Sequence, residues 1–514
     1  MENFSSDRKR VLLPDLNMLN KEDSNLFTMK NIYLLGALLF GLNVNVQADD
    51  WMSRLPDRQL VSQVSIPGAH DSATGNGVSL ATFSQCQDID VASQWSAGVR
   101  AFDFRPIVKD DHLHINHGIA ETNLRFDDAL YLLRDSLIAH PTEFAVLHLL
   151  YASNYDKDKD TYVTMLRELL GRDDLKDYFV EFRRDLRVSD LRGKMLVLSR
   201  DQYASKPITG GFFQNWCGWL DWNAQTAGTI AGAGNSDDYR SKLYVQDYAN
   251  TKEDEGGVAT KVDAINKMLD FSTKHTTDDV SEVVWVFNFA SAYPGSISTA
   301  SGYRENATYT NAAIIDYLKT HEAGPTGVIM MDYAGVDKSP NVETGTYETK
   351  GKELIDSIIA NNLKFQKRVS EKIYPTLQSR IERLFEKKDE AREEITTEYK
   401  DVAQDFEDDL IALEDTLNAL KIEADSLYRN WLFTEDYGAT DIYRDYLSLI
   451  NKVVREAKEA QQQYEETVGV VSVETDDEEY YEIYSVTGER LEGLRKGCVN
   501  ILKYNDGRVR KVRY

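Results

Sequence analysis

Between residues 50 and 345, short apolar runs rich in β-branched residues alternate with polar stretches that have helical spacing. The runs are residues 61–66, 99–104, 113–116, 144–149, 194–199, 243–246, 283–289 and 327–331. Most are apolar at every position, as strands covered on both faces are. Helical periodicity falls between them, for example over residues 126–139, 162–170, 262–272 and 311–320. Strand–helix alternation predicts a parallel sheet, and eight such units in this length suit a closed, TIM-like (β/α)8 barrel.

The pattern changes after a Gly/Thr-rich stretch at residues 341–351. Ile395, Tyr399, Val402, Phe406, Leu410, Leu413, Leu417, Leu420, Ala424 and Leu427 recur at spacings of three and four among acids and lysines, which predicts one long amphipathic helix. Helices over residues 354–374 and 442–467 flank it, so an antiparallel α-helical bundle is expected. The other reading is an intermolecular coiled coil, which would make this segment a self-association surface. Residues 468–514 change again: alternating runs flank Asn505-Asp506-Gly507, a hairpin signal in a small C-terminal β module. The pattern YEIYSVTGERL…KGCVNILKYNDGRVRKV is similar to short C-terminal β segments of exported proteins of the Bacteroidetes group.

Composition narrows the class. At 514 residues with 42% hydrophobic content, the chain is long enough for several globular units. Its formal charge of −26 argues against nucleic acid as a partner, and against binding anionic membranes by bulk charge. Three cysteines, Cys86, Cys217 and Cys498, are too few for a disulfide scaffold or a thiolate zinc site; one Cys86–Cys217 bridge stays open. From Met29 the chain shows a lysine, an apolar run from Ile32 to Leu42, and small residues around Ala48. That is the pattern of an export signal cleaved after Ala48, with Met29 the expected start and an uncleaved anchor the alternative. The expected division is therefore residues 1–48 extension and signal, 49–345 barrel, 352–467 helical domain and 468–514 β module, with the mature protein secreted, periplasmic or on the cell surface.

In a barrel of parallel strands, reactive groups sit at the strands' carboxyl ends. His70 and Asp71 follow the first run, Asp103 and Arg105 end the second, and His117 follows the third. Arg200 follows the fifth, Asp247 the sixth, Asn288 lies in the seventh and Asp332 ends the eighth. Buried charges are costly unless paired or used. Two imidazoles can serve as base and acid near neutrality, and a guanidinium between them can hold a phosphodiester and stabilise its developing charge.

These residues lie in three motifs: Ile66-Pro67-Gly68-Ala69-His70-Asp71-Ser72, Gly98-Val99-Arg100-Ala101-Phe102-Asp103-Phe104-Arg105-Pro106 and Leu113-His114-Ile115-Asn116-His117-Gly118. In order and spacing, residues 55–340 resemble the catalytic X-domain of bacterial phosphatidylinositol-specific phospholipases C. The resemblance implies that His70, oriented by Asp332, is the general base for the inositol 2-hydroxyl. It makes His117, supported by Asp71 and Asp103, the general acid for the leaving diacylglycerol. Arg105 would hold the phosphate where calcium-dependent relatives carry a metal-binding carboxylate, so no cofactor and no calcium are expected. Arg200 and Asp247 match positions that contact the inositol ring, and Tyr248 is a further candidate there, one residue off the family's spacing. The Lys and the acid that the family presents from its fourth strand fall here at Leu150 and Ala152, with His148 two residues before Leu150. The implied partner is an inositol phospholipid or a lipid-anchored substrate at a membrane surface. A surface binding protein on a retained barrel, or a phosphodiesterase for another head group, are the alternatives.

Overall fold

Unbroken apolar runs need cover on both faces, and the first two barrel strands, β1 (Ile66–Ala69) and β2 (Ala101–Phe104), are buried at every position. An excursion of β3 (Pro106–Lys109), β4 (His112–His117) and β5 (Ala120–Arg125) follows. The chain returns with β6 (Ala145–Leu149), β7 (Met195–Ser199), β8 (Thr226–Ala231), β9 (Arg240–Gln246), β10 (Val284–Phe289) and β11 (Val328–Met331). The protein is described here from a computed structural model covering residues 48–151, 158–199, 226–232, 236–249, 251, 257–277, 279–293, 299–341, 345–468, 481–504 and 507–513. The export pattern before Ala48, Ala152, Arg200 and Cys217 lie outside the described residues.

The barrel sheet has eight strands in the order β7-β6-β2-β1-β11-β10-β9-β8, a nearly closed (β/α) barrel. Three expectations are corrected. Residues 61–63 form a 3-10 turn, and the first strand starts only at Ile66. Residues 113–116 do form a strand, but in a separate antiparallel sheet, β3-β4-β5. The register Lys109↔His112 leaves a two-residue turn at Asp110-Asp111, with Asp110 at φ +51°. The alternating burial of Leu113 and Ile115 with half-buried His112 and His114 is the mark of such a ribbon, covered on one face. The eighth barrel strand is instead β8, which runs antiparallel to β9. Its sequence, TAGTIA, is too small and polar to stand out by hydrophobic pattern.

Helices α1 (Val91–Ala97), α2 (Phe126–Ala139), α3 (Lys159–Leu170), α4 (Gly257–Ser272) and α5 (Ala300–Thr320) accompany the barrel. Their inner faces share one core with the strands, including Phe104, Phe126, Leu130, Leu147, Val197, Ile265, Ile314 and Ile329. Helix α6 (Gly351–Glu398) begins in that core through Leu354, Ile355 and Ile358. Asn362 on α6 closes the bottom of β1 by bonding both Ser65 N and Ser65 O, at 2.8 and 2.9 Å.

Further along, Phe365, Val369, Leu377, Ile381 and Leu384 of α6 pack on α7 (Glu407–Arg429) and α8 (Ala439–Val468). The expected end near Tyr374 is overrun: α6 continues through Pro375, because the following apolar turns have the bundle to pack against. The single helix expected through 395–427 breaks at residues 399–406, where Tyr399 and Val402 stay buried against Leu410 and Ala457. An inward-facing corner keeps the three-and-four spacing intact, so the pattern hides the break. The stripe is covered within the chain. Among the described residues, no helix is long and apolar enough to cross a membrane.

Two short strands, β12 (Ser339–Asn341) and β13 (Gly345–Tyr347), form a hairpin before α6. At the C-terminus, β14 (Tyr481–Ser485), β15 (Arg490–Leu491), β16 (Val499–Tyr504) and β17 (Val509–Arg513) make an antiparallel sheet in the order β15-β14-β16-β17. The expected hairpin joins β16 to β17.

Candidate active site

Strand β1 delivers the first histidine. Its parallel pairing with β11 continues one step past the strand, through His70 N to Met331 O at 2.9 Å. The turn then closes sharply, with Asp71 in the left-handed region at φ +43°. Gly68 is required two residues earlier: a Cβ there would lie 2.7 Å from Met330 Sδ and 3.0 Å from Ala101 Cβ. Gln87 fixes both strand ends, donating to His70 O and Met331 O at 2.7 and 2.9 Å while accepting from Ala334 N. Nothing in the sequence pattern singled Gln87 out, since it lies in an irregular loop.

The tautomer of His70 follows from its neighbours. Arg105 Nη2 lies 2.8 Å from His70 Nε2, and a guanidinium has only hydrogens to offer. Nε2 must therefore present its lone pair, leaving the ring proton on Nδ1 to bond Asp332 Oδ1 at 2.8 Å. Burial disfavours the charged ring, but the carboxylates of Asp71 and Asp332 outweigh it and raise the His70 pKa above its ordinary value. Burial in turn raises the Asp332 carboxyl, against the pull of His70.

Arg105, at the end of β2, is clamped by carboxylates: Nε to Asp71 Oδ1 at 3.0 Å and Nη2 to Asp103 Oδ2 at 3.3 Å. Burial opposes its charge, but Asp71 and Asp103 hold it firmly protonated. His117 ends β4, half-buried, with Nε2 at 3.5 Å from Asp71 Oδ2. Its Nδ1 lies 2.7 Å from Ser84 O, an acceptor only, so Nδ1 carries a proton. Asp71 Oδ2 also stands 3.2 Å from His70 Nε2, which puts the two Nε2 atoms within about 7 Å of each other across one carboxylate, a span that fits one phosphodiester.

The structure thus brings together His70, Asp71, Asp103, Arg105, His117 and Asp332. Asp103 differs from its expected place beside His117. It accepts from Arg105, from Asp71 N at 3.1 Å and from His148 Nδ1 at 2.7 Å. Burial works against its charge, but Arg105 and His148 hold it well below the usual carboxylate range. His148 itself is fully buried, between Asp103 and the rings of Phe287 and Phe289.

A cleft of about 120 Å³ opens over His70, Arg105 and His117, with Asp247, Phe289 and Tyr303 on its walls. Asp247 therefore stands where expected. Tyr248 is half-buried, its N donating to Gln246 Oε1 at 2.8 Å, and it is not among the residues lining the cleft. Asn288, expected at the rim, is a core residue bonded to Gln246 and to Ile265 O. Leu150, half-buried, follows β6, where a Lys was expected to matter.

Two buried groups were not expected at the site from the sequence. Cys86 is a free thiol with Sγ 3.9 Å from His117 Nδ1; burial, with Asp332 and Asp71, pushes its pKa well up. Lys261 on α4 is fully buried, bonding Gln246 Oε1 at 3.1 Å. Burial pushes it down to about 7, against Asp247 and Asp332. No motif marks either residue; only the fold brings them inward.

A β-barrel with paired histidines, a guanidinium and carboxylates at its carboxyl-end rim is the arrangement the three motifs led one to expect. Among known proteins, the chain is similar to bacterial 1-phosphatidylinositol phosphodiesterases. It is 28% identical over 303 residues to that of Staphylococcus aureus (strain Newman), spanning 56% of this chain and 88% of the relative. It is 30% identical over 174 residues to that of Listeria monocytogenes, spanning 32% and 52%. No family model matches the chain. A solved structure of the S. aureus phosphatidylinositol-specific phospholipase C, from work on its membrane binding, overlays with TM-score 0.48 at 22% identity, covering 60% of this chain and 97% of that one. The L. monocytogenes enzyme overlays with TM-score 0.44 at 22% identity, covering 62% and 99%.

Proposed function

We propose that this chain is an exported phospholipase C that cleaves phosphatidylinositol, or a glycosylated inositol lipid anchor, by two-histidine acid–base chemistry. His70 Nε2 takes the proton of the inositol 2-hydroxyl, whose oxygen attacks phosphorus. The bond to the diacylglycerol oxygen breaks, and His117 returns a proton to that oxygen. The products are diacylglycerol and a cyclic inositol phosphate. The observation that carries this reading is the His70 tautomer: Arg105 and Asp332 together put the ring proton on Nδ1 and leave Nε2 as the lone-pair nitrogen, as a base requires. The proton on His117 Nδ1, held by Ser84 O, supports the complementary role, since only a ring carrying a second proton on Nε2 can then act as acid.

Arg105 supplies the charge that would otherwise call for a metal at the phosphate, so the reaction is proposed to need none. Export rests on the pattern from Met29 to Ala48. Leu150 in place of a Lys favours a second reading, a phosphodiesterase for a different head group. Purified protein is expected to release diacylglycerol from inositol lipid micelles in EDTA, and His70→Ala and His117→Ala each to abolish release. Full activity in either variant would sink the assignment; cleavage of other phosphodiesters alone would favour the second reading.

A further inference from the structure

We propose that His70, Asp71 and Cys86 form an inhibitory binding site for a thiophilic divalent cation such as Zn²⁺, at the reacting centre itself; only the word inhibitory rests on the function proposed above. Each of the three offers one donor atom, these atoms lie within 4.8 Å of one another, and all three residues are buried. A tetrahedral zinc site places its donors about 3.3–3.8 Å apart, so a closure of about 1 Å completes the set.

A second observation points to a cation. Asp71 Oδ2 is buried and accepts no hydrogen bond, although it stands 3.2 Å from His70 Nε2 and 3.5 Å from His117 Nε2. With Arg105 donating to His70 Nε2, no proton lies between that nitrogen and Asp71 Oδ2. During turnover the substrate's proton would arrive there; a metal ion satisfies both atoms equally well. Charge agrees, since Asp71, Asp103 and Asp332 face only Arg105 as a fixed cation in direct contact with them among the described residues. Cys86 Sγ completes the donors, and it also stands 3.9 Å from His117 Nδ1, so the site adjoins the second imidazole.

Thiolate and imidazole select Zn²⁺-like ions over Ca²⁺ or Mg²⁺, which want oxygen donors. Binding expels the Cys86 proton: thiol plus cation gives the metal thiolate and one proton released to solvent, so affinity falls as pH falls. The bound ion occupies Nε2, which can then no longer receive the hydroxyl proton. Arg105 must give up its bond to that nitrogen, retaining Asp71 and Asp103.

Co²⁺ titration of the purified full chain tests the site without reference to activity, by the near-ultraviolet thiolate-to-cobalt absorption. One band at one equivalent is expected, displaced by Zn²⁺ and untouched by Ca²⁺. Cys86→Ser should remove the band and weaken Zn²⁺ at least tenfold. The Cys217→Ser/Cys498→Ser double variant should keep both, which covers the case of a Cys86 variant that fails to fold. Zn²⁺ should inhibit inositol lipid cleavage reversibly by EDTA, each protein judged against its own metal-free rate. No band in the wild type, or its loss in the double variant, overturns the proposal. A band in a protein that cleaves no inositol lipid leaves the metal site standing and removes the phospholipase reading instead.

Discussion

Arg105 Nη2 donates to His70 Nε2 at 2.8 Å, so the residue proposed to hold the phosphate also fixes the protonation state of the proposed base. The same arginine is braced by Asp71 and Asp103, one of which also faces His117. Both imidazoles and the guanidinium therefore answer to a single carboxylate, Asp71.

That sharing sets a pH dependence. The base must be neutral, and the His70 pKa lies above its ordinary value because Asp71 and Asp332 outweigh the effect of burial. The acid limb of kcat/KM is expected above the 6.5 of a free imidazole. In Asp71→Asn one raising charge is gone, so the limb should move to lower pH while the maximal rate also falls. A limb unmoved in this variant would show that the titrating group is not His70.

Asp332→Asn tests the orienting bond. An amide can offer its N–H to Nδ1, which favours the tautomer with the proton on Nε2 and removes the lone pair needed there. A fall in kcat of about 10²–10⁴-fold, with KM little changed, is expected from steady-state kinetics.

Lys261 gives a stability signature. Its ammonium is buried and its pKa is pushed down to about 7, so above that pH the unfolded chain binds a proton that the folded chain does not. Stability should rise on this account from about pH 7 toward the ordinary lysine value of about 10.4. Thermal melts of Lys261→Met, compared with wild type, should show the variant's advantage shrinking across that window. A constant difference would mean that the buried amine does not titrate there.

Gly68→Ala should destabilise the barrel by about 1–3 kcal/mol, because the new Cβ would press on Met330 Sδ and Ala101 Cβ between adjacent strands. Denaturant midpoints would measure it.

The sequence made most of the barrel legible because its strands are buried on both faces, and a continuous apolar run survives any register. It misled where burial was one-sided or weak. Leu113 and Ile115 alternate with histidines in an antiparallel ribbon, whereas the true eighth strand, Thr226–Ala231, lacks bulky side chains. At the site, Arg105 and His117 were readable because each directly follows an apolar run, and His70 because it comes within four residues of one. Asp103 was readable as a site residue, but its partner His148 follows from strand register, Asp103 pairing with His148 across β2 and β6. Gln87, Cys86 and Lys261 act through tertiary contacts spanning many residues, and local pattern carries no trace of those.

The most direct test of the central claim separates the two histidines by leaving group. A p-nitrophenyl inositol phosphate expels a phenolate that needs no proton, whereas the lipid expels an alkoxide that does. His117→Ala should be severely impaired on the lipid and largely recovered on the activated ester, while His70→Ala stays impaired on both. Equal losses in His117→Ala on the two substrates, or rescue of His70→Ala by the activated ester, would contradict the assignment of base and acid.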